Sequence, residues 1–195
     1  MEHMISPEAV SRLMKERKTV TPEFFTSQPI PREIIEQLLE NATWAPNHKK
    51  TQPWLFKIFL GKGRECLGDY MAAYYRDHTP AEKFSEVKLK QTKQKCLQSA
   101  CVIAICMKRS TTVDIPEWEE IAAVACAVEN LWLSATAYGL AGYWSSTESM
   151  LAANSFLGLG EGERCLGVFY LGYAQAPDTA RKRIPVAEKI SWVEE

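Results

Sequence analysis

Apolar positions along the chain follow two rhythms, a helical one and a continuous one. Ser6-Pro7-Glu8 reads as a helix start, with Ser6 in the capping position and Pro7 in the first turn. Val10, Leu13 and Met14 then supply one apolar face, and the helix runs into the cationic stretch Arg17-Lys18-Thr19. Pro22 and Pro29 bracket a loop. Pro31 opens a second helix, with Ile34, Ile35, Leu38, Leu39 and Ala42 at helical spacing. It should stop near Trp44–Pro46, because proline disfavours a helical residue before it. Residues 54–60, WLFKIFL, are aromatic and branched over a short run and predict a strand. Gly61-Lys62-Gly63 predicts a turn, and residues 64–76 and 80–98 read as helices, the second starting at Pro80.

The second half repeats the contrast more strongly. Cys101–Met107, CVIAICM, is an unbroken apolar run bounded by charge, the pattern of a strand covered on both faces. Residues 116–138 form the longest periodic segment, and Ala122–Val128 and Leu131–Ala137 leave few polar positions on it. A helix apolar nearly all round is central or buried in a subunit interface. Gly139 reads as its C-terminal cap. Ala141–Ser145 predicts a short strand, Thr147 the start of a helix ending near Gly158, and Cys165–Gly172 another buried strand. The tail from Ala174 is polar, cationic at Arg181-Lys182-Arg183, and passes through Ile190 to Trp192. Helices dominate, and about four strands do not alternate with them as strict βαβ units, so the fold class is α+β. Without repeat, linker or low-complexity segment, residues 1–195 read as a single domain.

Composition narrows the function. The chain has 195 residues, 46% of them hydrophobic, enough to bury about 70% of its unfolded surface without a staple. A net charge of −1 argues against nucleic acid as a general partner. Six cysteines include no CxxC pair, and the opening MEHMISPEAV lacks the pattern of a secretory signal. Reduced thiols in a cytoplasmic protein are therefore expected. No apolar stretch is long enough for a membrane span. The three histidines, His3, His48 and His78, have no partners at metal-ligand spacing, so no metal site is expected. Gly61-Lys62-Gly63 lacks the phosphate-loop pattern, and Gly158–Gly162 follows a helix where a dinucleotide fingerprint needs a strand. Lys83, Lys88, Lys90, Lys93 and Lys95 make one helix basic, as a solvated face would be.

What remains is cationic clusters at the ends of elements: Arg17-Lys18-Thr19, His48-Lys49-Lys50 and Arg181-Lys182-Arg183. Each alone fits a solvated surface. Together they suit a phosphate-bearing ligand held by side chains, with guanidinium as a fork, ammonium as a point charge and hydroxyl as a further donor. Trp44, Trp54 and Trp144 could supply flat walls or fill core, and core filling suits Trp54 on its strand.

Four stretches resemble the nitroreductase family of FMN-dependent oxidoreductases, and the likeness runs over nearly the whole chain. Glu16-Arg17-Lys18-Thr19-Val20 resembles the family's Arg-Arg-Ser-x-Arg element, and Ala45-Pro46 to Gln52-Pro53-Trp54-Leu55-Phe56 its Gln-Pro-Trp loop and strand. The Ala-rich helix ending Tyr138-Gly139-Leu140-Ala141-Gly142 resembles its central helix and turn, and Arg181-Lys182-Arg183-Ile184-Pro185 its closing Arg-Lys-Pro element. Lys18, Thr19 and Thr21 depart from the first pattern. Asn47-His48-Lys49-Lys50 replaces Ser-Ser-x-Asn, which, with the turn Trp144-Ser145-Ser146, resembles a smaller His-Lys branch of short chains.

The resemblance implies a central, mostly antiparallel sheet flanked by helices in an intertwined homodimer, with FMN at the subunit interface. It implies that Arg17, Lys18 and Thr19 grip the ribityl phosphate with help from Lys182 and Arg183. Trp44 and His48 would come from the second subunit, and Trp144, Ser145 and Ser146 would pass along the isoalloxazine. Ala135, Thr136, Ala137, Tyr138, Gly139 and Leu140 would shape the nicotinamide side. The implied activity is reduction of nitroaromatic, quinone or similar electron-poor acceptors by NAD(P)H in a ping-pong cycle. The cofactor would carry the hydride chemistry, so no catalytic side chain is assigned. The apolar central helix independently argues for an obligate homodimer. A flavin-binding carrier or sensor without useful turnover, and an FMN-free structural homodimer, are the competing readings.

Overall fold

The computed structural model describes residues 6–175 and 182–194. In chain order its elements are α1 (Pro7–Glu16), α2 (Arg32–Thr43), β1 (Trp54–Phe59), α3 (Lys62–His78), α4 (Glu86–Gln98), β2 (Cys101–Lys108), α5 (Glu117–Ala137), β3 (Ala141–Ser145), α6 (Glu148–Leu151), α7 (Asn154–Leu157) and β4 (Glu163–Gly172). The strands form one sheet in the order β1-β2-β4-β3, and every ladder is antiparallel. The expected α+β class, with a central antiparallel sheet flanked by helices, is what the chain adopts.

β2 explains the continuous apolar run. Cys101, Ile103, Ile105 and Met107 face α2 and α5, packing with Leu38, Val124, Val128 and Leu131. Val102, Ala104 and Cys106 face the opposite layer, where Leu67, Met71, Cys96, Met150 and Leu157 cover them. A strand between two helical layers has no polar side to show. β4 shares this position, with Phe169 and Leu171 in one core and Val168 and Tyr170 in the other.

Local signals set most boundaries. The Ser6 hydroxyl accepts from the Ala9 N–H at 3.1 Å, capping α1. Three boundaries differ from the expectation. Gly61, at φ +48°, makes the reversal after β1 alone, so Lys62 and Gly63 already belong to α3. Pro80 starts only a short 3₁₀ turn, and α4 begins after Ser85, whose hydroxyl accepts from the Lys88 N–H at 3.4 Å. The helix expected from Thr147 to Gly158 breaks into α6 and α7, leaving Met150, Ala153 and Leu157 all in one core.

α5 is less uniform than its composition suggests. Val124, Ala127, Val128, Leu131 and Ala135 are buried against the sheet and α2, whereas Trp118, Ala122, Cys126 and Ala137 form an exposed, largely apolar stripe. Its first turn holds a charge that composition hides. Glu120 is fully buried and ion-paired with Arg109, just past β2. The Glu120 carboxylate also accepts from the Ser110 N–H at 2.9 Å, and Arg109 donates to the Ile115 carbonyl at 2.8 Å. This network ties the end of the central strand to the start of the long helix.

β4 carries an irregularity. Ile105 pairs with Gly167 but Cys106 with Cys165, so Leu166 is an extra residue. Gly167 has φ +133°, and a Cβ there would lie 2.6 Å from the Ser145 carbonyl oxygen. Only glycine fits.

The six cysteines are unpaired. Burial pushes the Cys96 and Cys101 thiols up to about 12, so they are inert neutral groups. Among the described residues no helix is long and apolar enough to cross a membrane. Replacing Glu120 with Ala strands the part-buried Arg109 guanidinium and should cost about 3 kcal/mol. Urea denaturation measures this as a lowered midpoint at unchanged slope.

Candidate active site

Residues 17–20 follow α1 and run along the open edge of β3. Thr19 pairs with Gly142 in a parallel bridge, and the Val20 N–H donates to the Gly142 carbonyl at 3.0 Å. The Arg17 guanidinium lies 4.6 Å from the centre of the Trp132 ring, and its Nε is 3.4 Å from a Glu129 carboxylate oxygen. A cation held over an indole face and beside a carboxylate has its orientation largely fixed. Lys18 lines a pocket of about 190 Å³ together with Val20, Thr136, Gly139 and Leu140.

The structure therefore brings together two stretches far apart in the sequence, residues 17–19 and residues 135–140, through Lys18, Thr136, Gly139 and Leu140. Within the second, Thr136 and Gly139 face the pocket, while Ala137 and Tyr138 are exposed. The Thr136 hydroxyl donates to the Trp132 carbonyl at 2.9 Å. Gly139, at φ +72°, ends the helix as its position predicts, and the Leu140 N–H closes the turn on the Ala135 carbonyl at 2.8 Å. Ala135 itself is fully buried, so its methyl belongs to the core.

The loop between α2 and β1 is a separate construction. Trp44 is 79% exposed and donates from its indole N–H to Glu40 at 3.3 Å. A 3₁₀ turn covers His48–Lys50, and three non-glycine residues have positive φ: Lys49 at 49°, Lys50 at 57° and Gln52 at 46°. The Asn47 carboxamide braces this backbone, accepting from the Gln52 N–H at 3.0 Å and donating to the Ala45 carbonyl at 3.3 Å. His48 Nδ1 lies 2.5 Å from the Glu119 carboxylate. The Thr51 hydroxyl is buried without a hydrogen-bond partner. Side chains other than glycine occupy this backbone region at a cost of about 1–2 kcal/mol each, and such strain clusters at functional sites. Nothing in the sequence announced the strain, although Asn47, a residue type that braces turns, was its one legible trace.

About 20 Å of helix separates Glu119, which holds His48, from Trp132, which holds Arg17. Within one chain these two candidate elements do not converge. Trp144, read as a flat wall or as core filling, has its ring turned inward. Its indole is packed toward the α5 core against Gly167, with its N–H buried and unpartnered. The indole packs against the bulge, so Trp144 offers its backbone and not its ring for an edge contact. Ser146 opens instead onto a cleft with α3 and α4. Trp54 packs on the α5 core, as expected for a core residue. Lys182 and Arg183 are exposed, with Arg183 donating to the Lys182 carbonyl at 3.3 Å. Arg181 lies outside the described residues.

Along this sheet edge Arg17 and Lys18 stand beside the end of a long helix, with Glu16 in the same pocket lining as Lys18. Residues 14–173 match the family model described as the Nitroreductase family, and the chain belongs to that family of oxidoreductases. The Escherichia coli K12 protein named "Putative NAD(P)H nitroreductase YdjA" is 27% identical over 163 residues, covering 82% of this chain and 86% of YdjA. The crystal structure of a nitroreductase-like family protein from Bacillus cereus superposes with a TM-score of 0.81 at 27% identity, over 99% of this chain and all of that one. The FMN-dependent nitroreductase NfnB of Mycobacterium smegmatis, solved in complex with NADPH, gives a TM-score of 0.74 at 18% identity, covering 96% of this chain and 99% of NfnB, and so shares the fold.

Because Lys50 is held at φ +57°, Lys50→Gly should stabilise the chain by about 1 kcal/mol, relieving strain against the extra freedom of glycine in the unfolded state. A thermal melt that rises by a few degrees meets this expectation, and one that falls contradicts it.

Proposed function

We propose that the chain is an FMN-dependent oxidoreductase that uses NAD(P)H to reduce small electron-poor acceptors and works as a homodimer. The observation that carries this reading is Arg17, fixed over Trp132, next in the chain to Lys18, which shares a pocket with Glu16, Thr136 and Gly139. The donor set suits a phosphate monoester: a planar fork, a point charge and the Thr19 hydroxyl. NfnB, described as FMN-dependent and bound to NADPH, shares the fold and supports the choice of cofactor.

In this reading Arg17, Lys18 and Thr19 hold the phosphate, and Lys182 and Arg183 add positive charge. The end of β3, at Ser145 and Ser146, offers backbone and hydroxyl groups along the ring system. Thr136 and Gly139 form the wall on the nicotinamide side. When bound, FMN supplies hydride acceptance from NAD(P)H and electron delivery to the acceptor. The chain's own work is to bind, orient and exclude water.

One chain supplies only part of such a site. A pocket of about 190 Å³ is below the ~300–1,000 Å³ usual for small-molecule sites. The strained loop carrying His48 stands far along α5, a position from which a two-fold partner could present His48 and Trp44. Exposed apolar surface supports that partner. α1 has no buried residue and shows Met14 at 56% exposure, and the α5 stripe of Trp118, Ala122 and Cys126 is uncovered.

The purified protein should be yellow, and NADH or NADPH should bleach it anaerobically. Colourless protein that takes up no added FMN overturns the reading, and colour without bleaching turns it into a flavin carrier. Arg17→Ala should weaken FMN affinity by about 1.5–3 kcal/mol, the worth of a charged hydrogen bond. Riboflavin, which lacks the phosphate, should lose little. For the homodimer, native thiol labelling is decisive: Cys66 and Cys126 are the exposed cysteines of the single chain. A covered α5 stripe leaves Cys66 reactive and protects Cys126, whereas a monomer labels both.

A further inference from the structure

The basic run that reads as a solvated face is divided by the structure. Lys93 Nζ lies 2.5 Å from Asp69, and Lys95 Nζ stands 5.6 Å from the centre of the Tyr143 ring. Lys83 and Lys88 instead line a cleft of about 550 Å³ between α3, the start of α4 and the turn at Ser146–Ser149. That volume falls within the ~300–1,000 Å³ typical of small-molecule sites.

The cleft has an aromatic wall and a cationic one. Tyr74 and His78, one helical turn apart on α3, stack with ring centres 3.9 Å apart and planes within 7°. His78 Nδ1–H donates to the Tyr74 carbonyl at 3.0 Å, which fixes the ring and leaves Nε2 for other partners. Tyr75 holds the Lys88 ammonium 5.2 Å from its ring centre. Two ammonium groups stand against one lining carboxylate, Glu148, so the cleft is net positive. Stacking alone would favour any flat ring, and charge alone any anion. Their combination selects a ligand that is both.

We propose that this cleft binds a planar aromatic carboxylate, its ring against the Tyr74–His78 wall and its carboxylate toward Lys83 and Lys88. The assignment needs no bound cofactor. Ser146 belongs both to the cleft and to the end of the β3 edge, so a ligand here would sit beside the strip given above to FMN.

Calorimetric titration of the full-length protein tests the assignment, with 4-nitrobenzoate and uncharged nitrobenzene as probes. The carboxylate should bind at least about tenfold more tightly, and the preference should shrink as salt rises. The double variant Lys83→Gln/Lys88→Gln should bring the two probes to parity, and His78→Ala should weaken both. Lys90→Gln, a lysine of the same helix that does not line the cleft, should change neither. Circular dichroism checks that each variant is folded. Equal affinities for the two probes, no binding of either, or a preference surviving in the folded double variant would overturn the proposal. A colourless protein that still prefers 4-nitrobenzoate through these lysines would refute the FMN reading and leave this one standing. A yellow protein that NADPH bleaches but that fails the titration would do the reverse.

Discussion

The packing of α5 against one face of the sheet is the constraint to which the rest of the chain is registered. Val124, Val128, Leu131 and Trp132 enter the core that β2 and β4 share with α2, and each large side chain of this kind stabilises the fold by roughly 1.5–3 kcal/mol when fully buried. The start of the helix is fixed by the buried Glu120 and Arg109, and its end by the turn closed between Leu140 and Ala135. Both candidate cationic elements take their positions from it. Arg17 rests on Trp132 near one end, and His48 on Glu119 near the other. A helix that shifted by one turn would move both.

Elements whose signals are local were legible in the sequence. The Ser6 cap, the stop of α2 before Pro46 and the glycine end of α5 depend on neighbours a few residues away. β2 and β4 were legible because a strand covered on both faces carries no polar alternation to confuse the reading. What stayed hidden depends on distant partners. Glu120 looks like one more solvated acid of a first turn, until Arg109 and the Ser110 N–H, from beyond the end of β2, close around it. The break between α6 and α7 follows the core they cover, since nothing in Ala152-Ala153 forbids a helix.

The candidate site divides along the same line. The cluster at Arg17 and the turn at Gly139 were each visible as local chemistry, and the fold brings them to one pocket. The ring of Trp144 turns inward: a tryptophan on an edge strand can point either way, and the bulge opposite makes room for it inside. The strain at Lys49, Lys50 and Gln52 is not written in those residues themselves, since two lysines and a glutamine do not ask for positive φ. The surrounding contacts impose it, through Asn47 on one side and the Glu119 pair on the other.

The extra residue in β4 also constrains how this protein could change over time. On the Gly172 side of it, Val168 and Tyr170 point into one core and Phe169 and Leu171 into the other. On the Glu163 side the alternation restarts, so that Cys165 joins the first core and Leu166 packs on the second. Losing a single amino acid here would rotate the first half of the strand by half a turn and exchange which layer each of its side chains enters. Surface connections elsewhere can lengthen or shorten by drift, but descendants of this chain are bound to keep the residue count between Cys165 and Val168.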